Sequence, residues 1–203
     1  MIIAVTGNLG TGKSTVSRLL AAQLGADLLD TDQLCRQQLQ PGREGFTAFK
    51  RTFGQNFFQE DGDIDRQRLR QAVFTDGQVK VALEEILHPI VRRQVAGRIA
   101  ACKNAAIDLV VEVPLLYEVG WQEEFELCVV VFIPSHLCVR RVLERDSMDA
   151  AEIDKVLASQ MELSKKITLA DVIIDNSGTF VSTVHQVNLL AKRILTREQI
   201  QGN

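Results

Sequence analysis

Residues 7–14 read Gly-Asn-Leu-Gly-Thr-Gly-Lys-Ser, the pattern G-x-x-x-x-G-K-[ST], and no other stretch constrains this chain as strongly. The pattern carries chemistry only between a buried strand and a helix, and both flanks supply that context. Residues 1–6 are a short apolar, β-branched run. Residues 15–24 place Val16, Leu19, Leu20 and Leu24 at helical spacing. Glycines let such a loop wrap an anion with its N–H groups turned inward, and the helix behind it adds the positive end of its dipole. Gly7, Asn8, Leu9, Gly10, Thr11, Gly12, Lys13, Ser14 and Thr15 are therefore the expected triphosphate cradle. Lys13 is placed to reach the β- and γ-phosphates, and the Ser14 hydroxyl to ligate Mg²⁺. The bland alternative is a glycine-rich turn that happens to precede a helix.

Composition narrows the class further. A chain of 203 residues buries a sizeable core as one domain, with room for inserted subdomains. A net charge of -3 argues against a broad nucleic-acid surface while allowing a local basic cleft. The four cysteines (Cys35, Cys102, Cys128, Cys138) form no C-x-x-C pair, which fits a reducing compartment and not zinc. Cys128 lies in an apolar run, where a small buried thiol is expected. The first strand begins at the initiator methionine, so no signal peptide is expected, and the apolar runs are too short to span a bilayer. A cytoplasmic protein is the expectation.

Along the chain, Gly25 is a plausible helix stop, and residues 26–29 read as a second strand running into Asp30-Thr31-Asp32. The carboxyl ends of strands face the ligand crevice in open α/β sheets, so these carboxylates are candidates for a base or for Mg²⁺ contacts. One of them has the alternative role of capping a helix that starts near Gln33. Arg36, one turn on, suits either Asp32 or a phosphate. From 41 to 103 the pattern becomes helical, with a helix at about 44–53, clustered phenylalanines, and no strand alternation. Its arginines (66, 68, 70, 92, 93, 98) make either a basic side for an anionic substrate or a solvated face. His88-Pro89 is expected to interrupt a long helix. Residues 107–113 form a central buried strand, with Glu112 at its end positioned for Mg²⁺. Residues 127–133 form the fourth strand. The helix after Ser135 carries Arg140, Arg141 and Arg145 before Asp146, again either solvated or aimed at developing phosphate charge. One helix or two short ones fill 149–167, then a fifth strand at 172–175, a turn at 176–178 and a closing helix at 180–197. Residues 199–203 are expected to fray.

Taken in order, the loop G-N-L-G-T-G-K-S-T, L-D-T-D-Q-L-C-R-Q-Q-L-Q-P-G, D-G-D-I-D-R-Q-R-L, L-H-P-I-V-R, V-P-L-L-Y-E, R-V-L-E-R-D and A-D-V-I-I-D-N-S-G resemble the bacterial dephospho-coenzyme A kinases over nearly the whole chain. The resemblance implies an α/β P-loop NTPase fold like that of nucleoside monophosphate kinases, with a parallel five-stranded core, a helical substrate-binding insertion and a helical lid. The implied division is a core of 1–40, 104–140 and 167–203, an insertion at about 41–103 and a lid at about 141–166. It implies ATP-dependent phosphorylation of the ribose 3′-hydroxyl of dephospho-coenzyme A, the last step of coenzyme A synthesis, with Mg²⁺. Carried over, Asp32 matches the base and Arg141 and Arg145 the lid-side arginines, beside Lys13 of the loop. Asn176 would contact ATP. Asp32, Arg36, His88, Pro89 and Leu115 would contact the acceptor, and Ser14 and Glu112 the metal. The implied partners are ATP and dephospho-coenzyme A, with no nucleic acid and no membrane, and the implied state is a monomer or weak homo-oligomer.

The chain departs from the family pattern at Asn8, where Gly is usual, and at Glu112, where Asp is common. Cys138 stands where Gln is common and Val156 where Arg is frequent. Asn8 is expected to suit left-handed backbone angles. Cys138 and Val156 weaken any nucleotide contact at those positions. Three other readings compete. Another small-molecule kinase on the same scaffold fits the periodicity equally well. A regulatory GTPase would need N-K-x-D, which is missing, and the D-x-x-G at 175–178 comes too late in the chain. A non-catalytic ATP-binding protein would not need Lys13, Ser14, Asp32 and both lid arginines together.

Overall fold

A computed structural model describes residues 1–145 and 148–201, the last five of these by backbone alone. Asp146, the last residue of the R-V-L-E-R-D stretch, lies outside the described residues. So do Gly202 and Asn203 of the tail expected to fray. The chain divides into two compact units, one of residues 1–30 with 99–203 and one of residues 31–98.

The first unit is built on five parallel strands: β1 (Ile2–Thr6), β2 (Asp27–Asp30), β3 (Leu109–Glu112), β4 (Leu127–Phe132) and β5 (Val172–Asp175). Their order is β2-β3-β1-β4-β5, with β1 in the middle. Ile3 pairs with Val110 on one side and Leu127 on the other. Every residue of β1 and of β3 is buried, which is why neither alternates polar with apolar. The register brings Asp30, Glu112 and Val5 level across three strands, so two carboxylates end neighbouring strands. Helices α1 (Lys13–Leu24) and α9 (Phe180–Gln201) share a core with the sheet. Val16, Leu20, Val187 and Leu190 pack there on Ile3, Val5, Val129 and Ile174. Lengths of chain between β4 and β5 form α6 (Ser135–Arg145), α7 (Ala150–Ala158) and α8 (Leu163–Leu169), of which α7 and α8 are the two short helices among the alternatives for 149–167. Asp149 caps α7 in a reciprocal capping box with Glu152. α9 runs four residues beyond the expected end.

The second unit holds α2 (Thr31–Gln38), α3 (Glu44–Phe53), α4 (Arg66–Thr75) and most of α5 (Gly77–Ala105). Its phenylalanines are core: Phe49 is fully buried, and its ring centroid lies 4.7 Å from that of Phe53 and 5.8 Å from that of Phe58. Three expectations need correction. α5 is continuous across His88-Pro89. Proline removes one bond to the carbonyl four residues back, but Leu87, Ile90, Val91 and Val95 are buried along the same helix and hold both halves in register. α2 begins at Thr31 and not near Gln33, so Asp32 lies in the first turn, where the helix dipole favours its charge, and is not a cap. The insertion also contains one antiparallel bridge, Phe58 with Ile64, around the turn at residues 60–63. Among the described residues no helix is long and apolar enough to cross a membrane.

Candidate active site

The strand-loop-helix order around residues 7–14 produces a loop whose shape is set by its own bonds. The Asn8 carbonyl accepts from the Thr11 N–H at 3.3 Å, from Thr11 Oγ1 at 2.9 Å and from Lys13 Nζ at 3.0 Å. Gly12 takes φ 89° at the start of α1, and a Cβ there would collide with Asn176 Nδ2. Gly7 has φ 148°, and a Cβ would lie 2.7 Å from the Val131 carbonyl oxygen. Both positions thus exclude side chains by space as well as by backbone angle. Asn8 is different. Ala106 is the one described non-glycine residue with positive φ, so Asn8 makes no use of left-handed backbone angles. The chain uses its side chain instead: Nδ2 donates to the Met161 carbonyl at 3.1 Å.

Asn176, just past β5, braces the loop from the other side. Its Nδ2 donates to the Thr11 carbonyl at 2.8 Å, its Oδ1 accepts from Thr183 Oγ1 at 2.7 Å, and its carbonyl accepts from Arg141 Nη2 at 3.0 Å. A cavity of about 550 Å³ opens beside this brace, lined by Gly10, Gly12, Arg141, Arg145, Asn176 and Phe180. Phe180 is 62% exposed, an aromatic face offered to a planar group.

Ser14 and Glu112 meet as their placement at a helix start and a strand end requires. Ser14 Oγ donates to Glu112 Oε1 at 2.7 Å, and Glu112 is buried to 7% exposure. A hydroxyl and a carboxylate are hard oxygen donors, and Mg²⁺ in phosphoryl-transfer sites takes one or two such protein oxygens with phosphates and water. The donor set fits that ion. No group of three or more His, Cys, Asp or Glu side chains is arranged to hold a metal among the described residues.

The residues expected at the site divide between the two units. Gly7 to Thr15, Glu112, Leu115, Arg141, Arg145 and Asn176 belong to the first. Asp32, Arg36, His88 and Pro89 belong to the second. Asp32 and Arg36 are solvent-exposed on α2. Cys138 is buried on α6, and its thiol is pushed up by burial, against the opposing pull of Arg141 and Lys13.

Sequence reasoning missed a buried ion pair behind the site. Lys166 is fully buried, and its ammonium lies 2.8 Å from Glu118 Oε1 and 3.0 Å from the Pro114 carbonyl oxygen. Burial lowers its pKa, with Glu118 opposing the shift. Glu118 Oε1 also accepts the Met161 N–H at 2.8 Å. The only signal for this pair was a charged residue ending the apolar V-P-L-L-Y-E stretch.

A parallel sheet centred on β1, a phosphate loop with its lysine in place and a Ser14–Glu112 contact define a P-loop kinase. The dephospho-CoA kinase (CoaE) family model matches residues 1–182. The chain therefore belongs to the dephospho-CoA kinase family, and it is a kinase enzyme of coenzyme A biosynthesis. It is 36% identical to a dephospho-CoA kinase of Desulfotalea psychrophila over 187 residues, 92% of this chain and 94% of that one. It is 34% identical to one of Shewanella oneidensis over 202 residues, 100% and 96% of the two chains. Among solved structures, TT1252 from Thermus thermophilus matches at TM-score 0.79 and 30% identity, covering 97% of each chain. Shikimate kinase from Aquifex aeolicus, at TM-score 0.53 and 17% identity over 95% and 96% of the chains, shares the fold alone.

Proposed function

We infer that this chain carries out its family's reaction by passing the γ-phosphoryl group of ATP to the ribose 3′-hydroxyl of dephospho-coenzyme A. Coenzyme A and ADP result, the final step of that synthesis. The observation that carries this reading is the Ser14–Glu112 contact beside a complete phosphate loop with Lys13 in place. Lys13 Nζ, which donates to the Asn8 carbonyl at 3.0 Å, turns to the β- and γ-phosphate oxygens, where donor and acceptor are both charged. Ser14 and Glu112 are the residues that would hold Mg²⁺, which would supply positive charge opposite the phosphates. Arg141 and Arg145 supply further positive charge as the phosphoryl group transfers, and the cavity edged by Phe180 receives the base of ATP.

Asp32 orients the acceptor hydroxyl and takes its proton late, because a loose transition state needs little early deprotonation. Arg36, His88, Pro89 and Leu115 bind the acceptor. The helical insertion at about 41–103 receives it, the core is 1–40, 104–140 and 167–203, and residues 141–166 act as the lid that excludes water. An ATP-using enzyme with four cysteines and no disulfide suits the cytoplasm, as a monomer or weak homo-oligomer.

The test is product analysis with purified protein, ATP, Mg²⁺ and a panel of acceptors, including dephospho-coenzyme A, shikimate and gluconate. Only dephospho-coenzyme A should be turned over efficiently, with phosphate on the 3′-oxygen; preferential turnover of another acceptor overturns the reading. Asp32→Asn should lower kcat by roughly 10²–10⁴ with ATP affinity kept. Near-wild-type turnover in that variant refutes the assignment of the base.

A further inference from the structure

The phosphate loop makes two bonds that serve no phosphate. Asn8 Nδ2 donates to the Met161 carbonyl at 3.1 Å, and the Leu9 N–H donates to Gln160 Oε1 at 3.0 Å. Residues 160 and 161 lie in the short connector between α7 and α8. The same connector is held from its other side, where the Met161 N–H donates to Glu118, itself paired with Lys166. It is therefore anchored both to the loop that grips the triphosphate and to the segment that follows Glu112.

Asn8 is the junction of this network. Its carbonyl holds Lys13 while its side chain holds the connector. That side chain is kept against a cost. Asn8 is 6% exposed and its Oδ1 is buried without a hydrogen-bond partner, a penalty that alanine or glycine would not incur. A side chain that stability alone does not favour is best explained by what its other end does. Beside it, a cavity of about 460 Å³ shared with Cys138 of α6 and Leu157 of α7 leaves those helices room to close.

We propose that Asn8 and Gln160 are positioning residues for phosphoryl transfer: they pin the α7–α8 connector to the phosphate loop, so that the lid closes from a fixed root and its arginines arrive in register with the phosphates. This rests on the reading of residues 141–166 as the lid. Because both bonds end on one connector, their effects are coupled.

The test uses the full chain with Asn8→Ala, Gln160→Ala and the double variant. Each single change should lower kcat roughly three- to tenfold, the worth of one hydrogen bond, while the dissociation constant for ADP moves less than about twofold. The double variant should lose less than the product of the two single losses. Amide exchange in residues 159–162 should speed up in both, and Asn8→Ala should melt within about 2 °C of wild type or above it. Unchanged kcat in both single variants, or parallel losses of turnover, ADP affinity and melting temperature, overturns the proposal. The exchange measurement needs no acceptor. Wild-type protein inactive on dephospho-coenzyme A would count against the proposed reaction, while unchanged exchange at 159–162 would count against the clamp.

Discussion

Replacing Lys166 with methionine isolates the buried ion pair. The side chain keeps its length and loses its charge, so packing changes little. Two things are lost: the ammonium opposite Glu118 at 2.8 Å and the donor to the Pro114 carbonyl at 3.0 Å. Breaking a buried pair costs about 3–5 kcal/mol because the remaining charge stays desolvated. Glu118 is 17% exposed and keeps the Met161 N–H, which places the cost near the lower end, at ~3–4 kcal/mol. For a chain of this size that is a fall in Tm of roughly 6–16 °C. Lys166→Met with Glu118→Gln removes both charges, leaves an acceptor for the Met161 N–H, and should recover all but about 1 kcal/mol, the lost bond to the Pro114 carbonyl, which then keeps only the Thr6 hydroxyl at 3.3 Å. Thermal unfolding followed by circular dichroism measures both. A single variant within ~2 °C of wild type, or a double variant as unstable as the single, refutes the reasoning. The pH dependence has a definite sign. Burial lowers the Lys166 pKa below the usual 10.5, and a lysine shifted this way carries its penalty in full below the folded pKa and sheds it as pH rises to the unfolded value. Glu118→Gln alone should therefore lose most Tm near neutrality and less as pH approaches 10.5.

Glu112→Gln should raise the Mg²⁺ concentration needed for half-maximal rate, read from a metal titration at saturating ATP; an unchanged titration removes Glu112 from the metal's shell. Arg145→Ala should lower kcat by up to ~10³–10⁵ with ADP affinity within a few-fold of wild type, whereas equal small losses in both would make it a surface residue. Alkylation at pH 8 followed by mass spectrometry should modify half-buried Cys35 first. Cys102, Cys128 and Cys138 are buried, and the Cys128 thiol is pushed up to about 11 by burial beside Asp171, so these three should react only as the chain unfolds. Four thiols reacting at one rate would contradict that.

The parts of this fold that were legible in the sequence are those governed by local rules. The loop pattern located the β1–α1 junction, and unbroken apolar runs identified β3 and β4 as buried strands. That Glu112 ends β3 was also legible, because the apolar run breaks there, and the structure adds its contact with Ser14. The miss at Pro89 came from applying a local penalty where burial along a 29-residue helix outweighs it. The miss at Asn8 has a different origin. Its partner Met161 is 153 residues away, and no periodicity or spacing links the two. Gln160, Glu118 and Lys166 were hidden for the same reason, since each is defined by what it meets across the fold.

The strand order also bears on how the chain is made. β1 leaves the ribosome first, yet its neighbours in the sheet begin at Leu109 and Leu127. At about 5–20 residues per second, an apolar strand waits many seconds for a partner on either edge. The aromatic cluster of residues 31–98 draws all of its members from within that stretch, Leu39 to Leu83, so its contacts are short in sequence and close early. Until β3 and β4 emerge, β1 lacks a partner on both edges and β2 lacks its one neighbour, β3. Unpaired apolar strand edges are what make an incomplete chain prone to aggregate, so the order of this sheet sets how long that exposure lasts during synthesis.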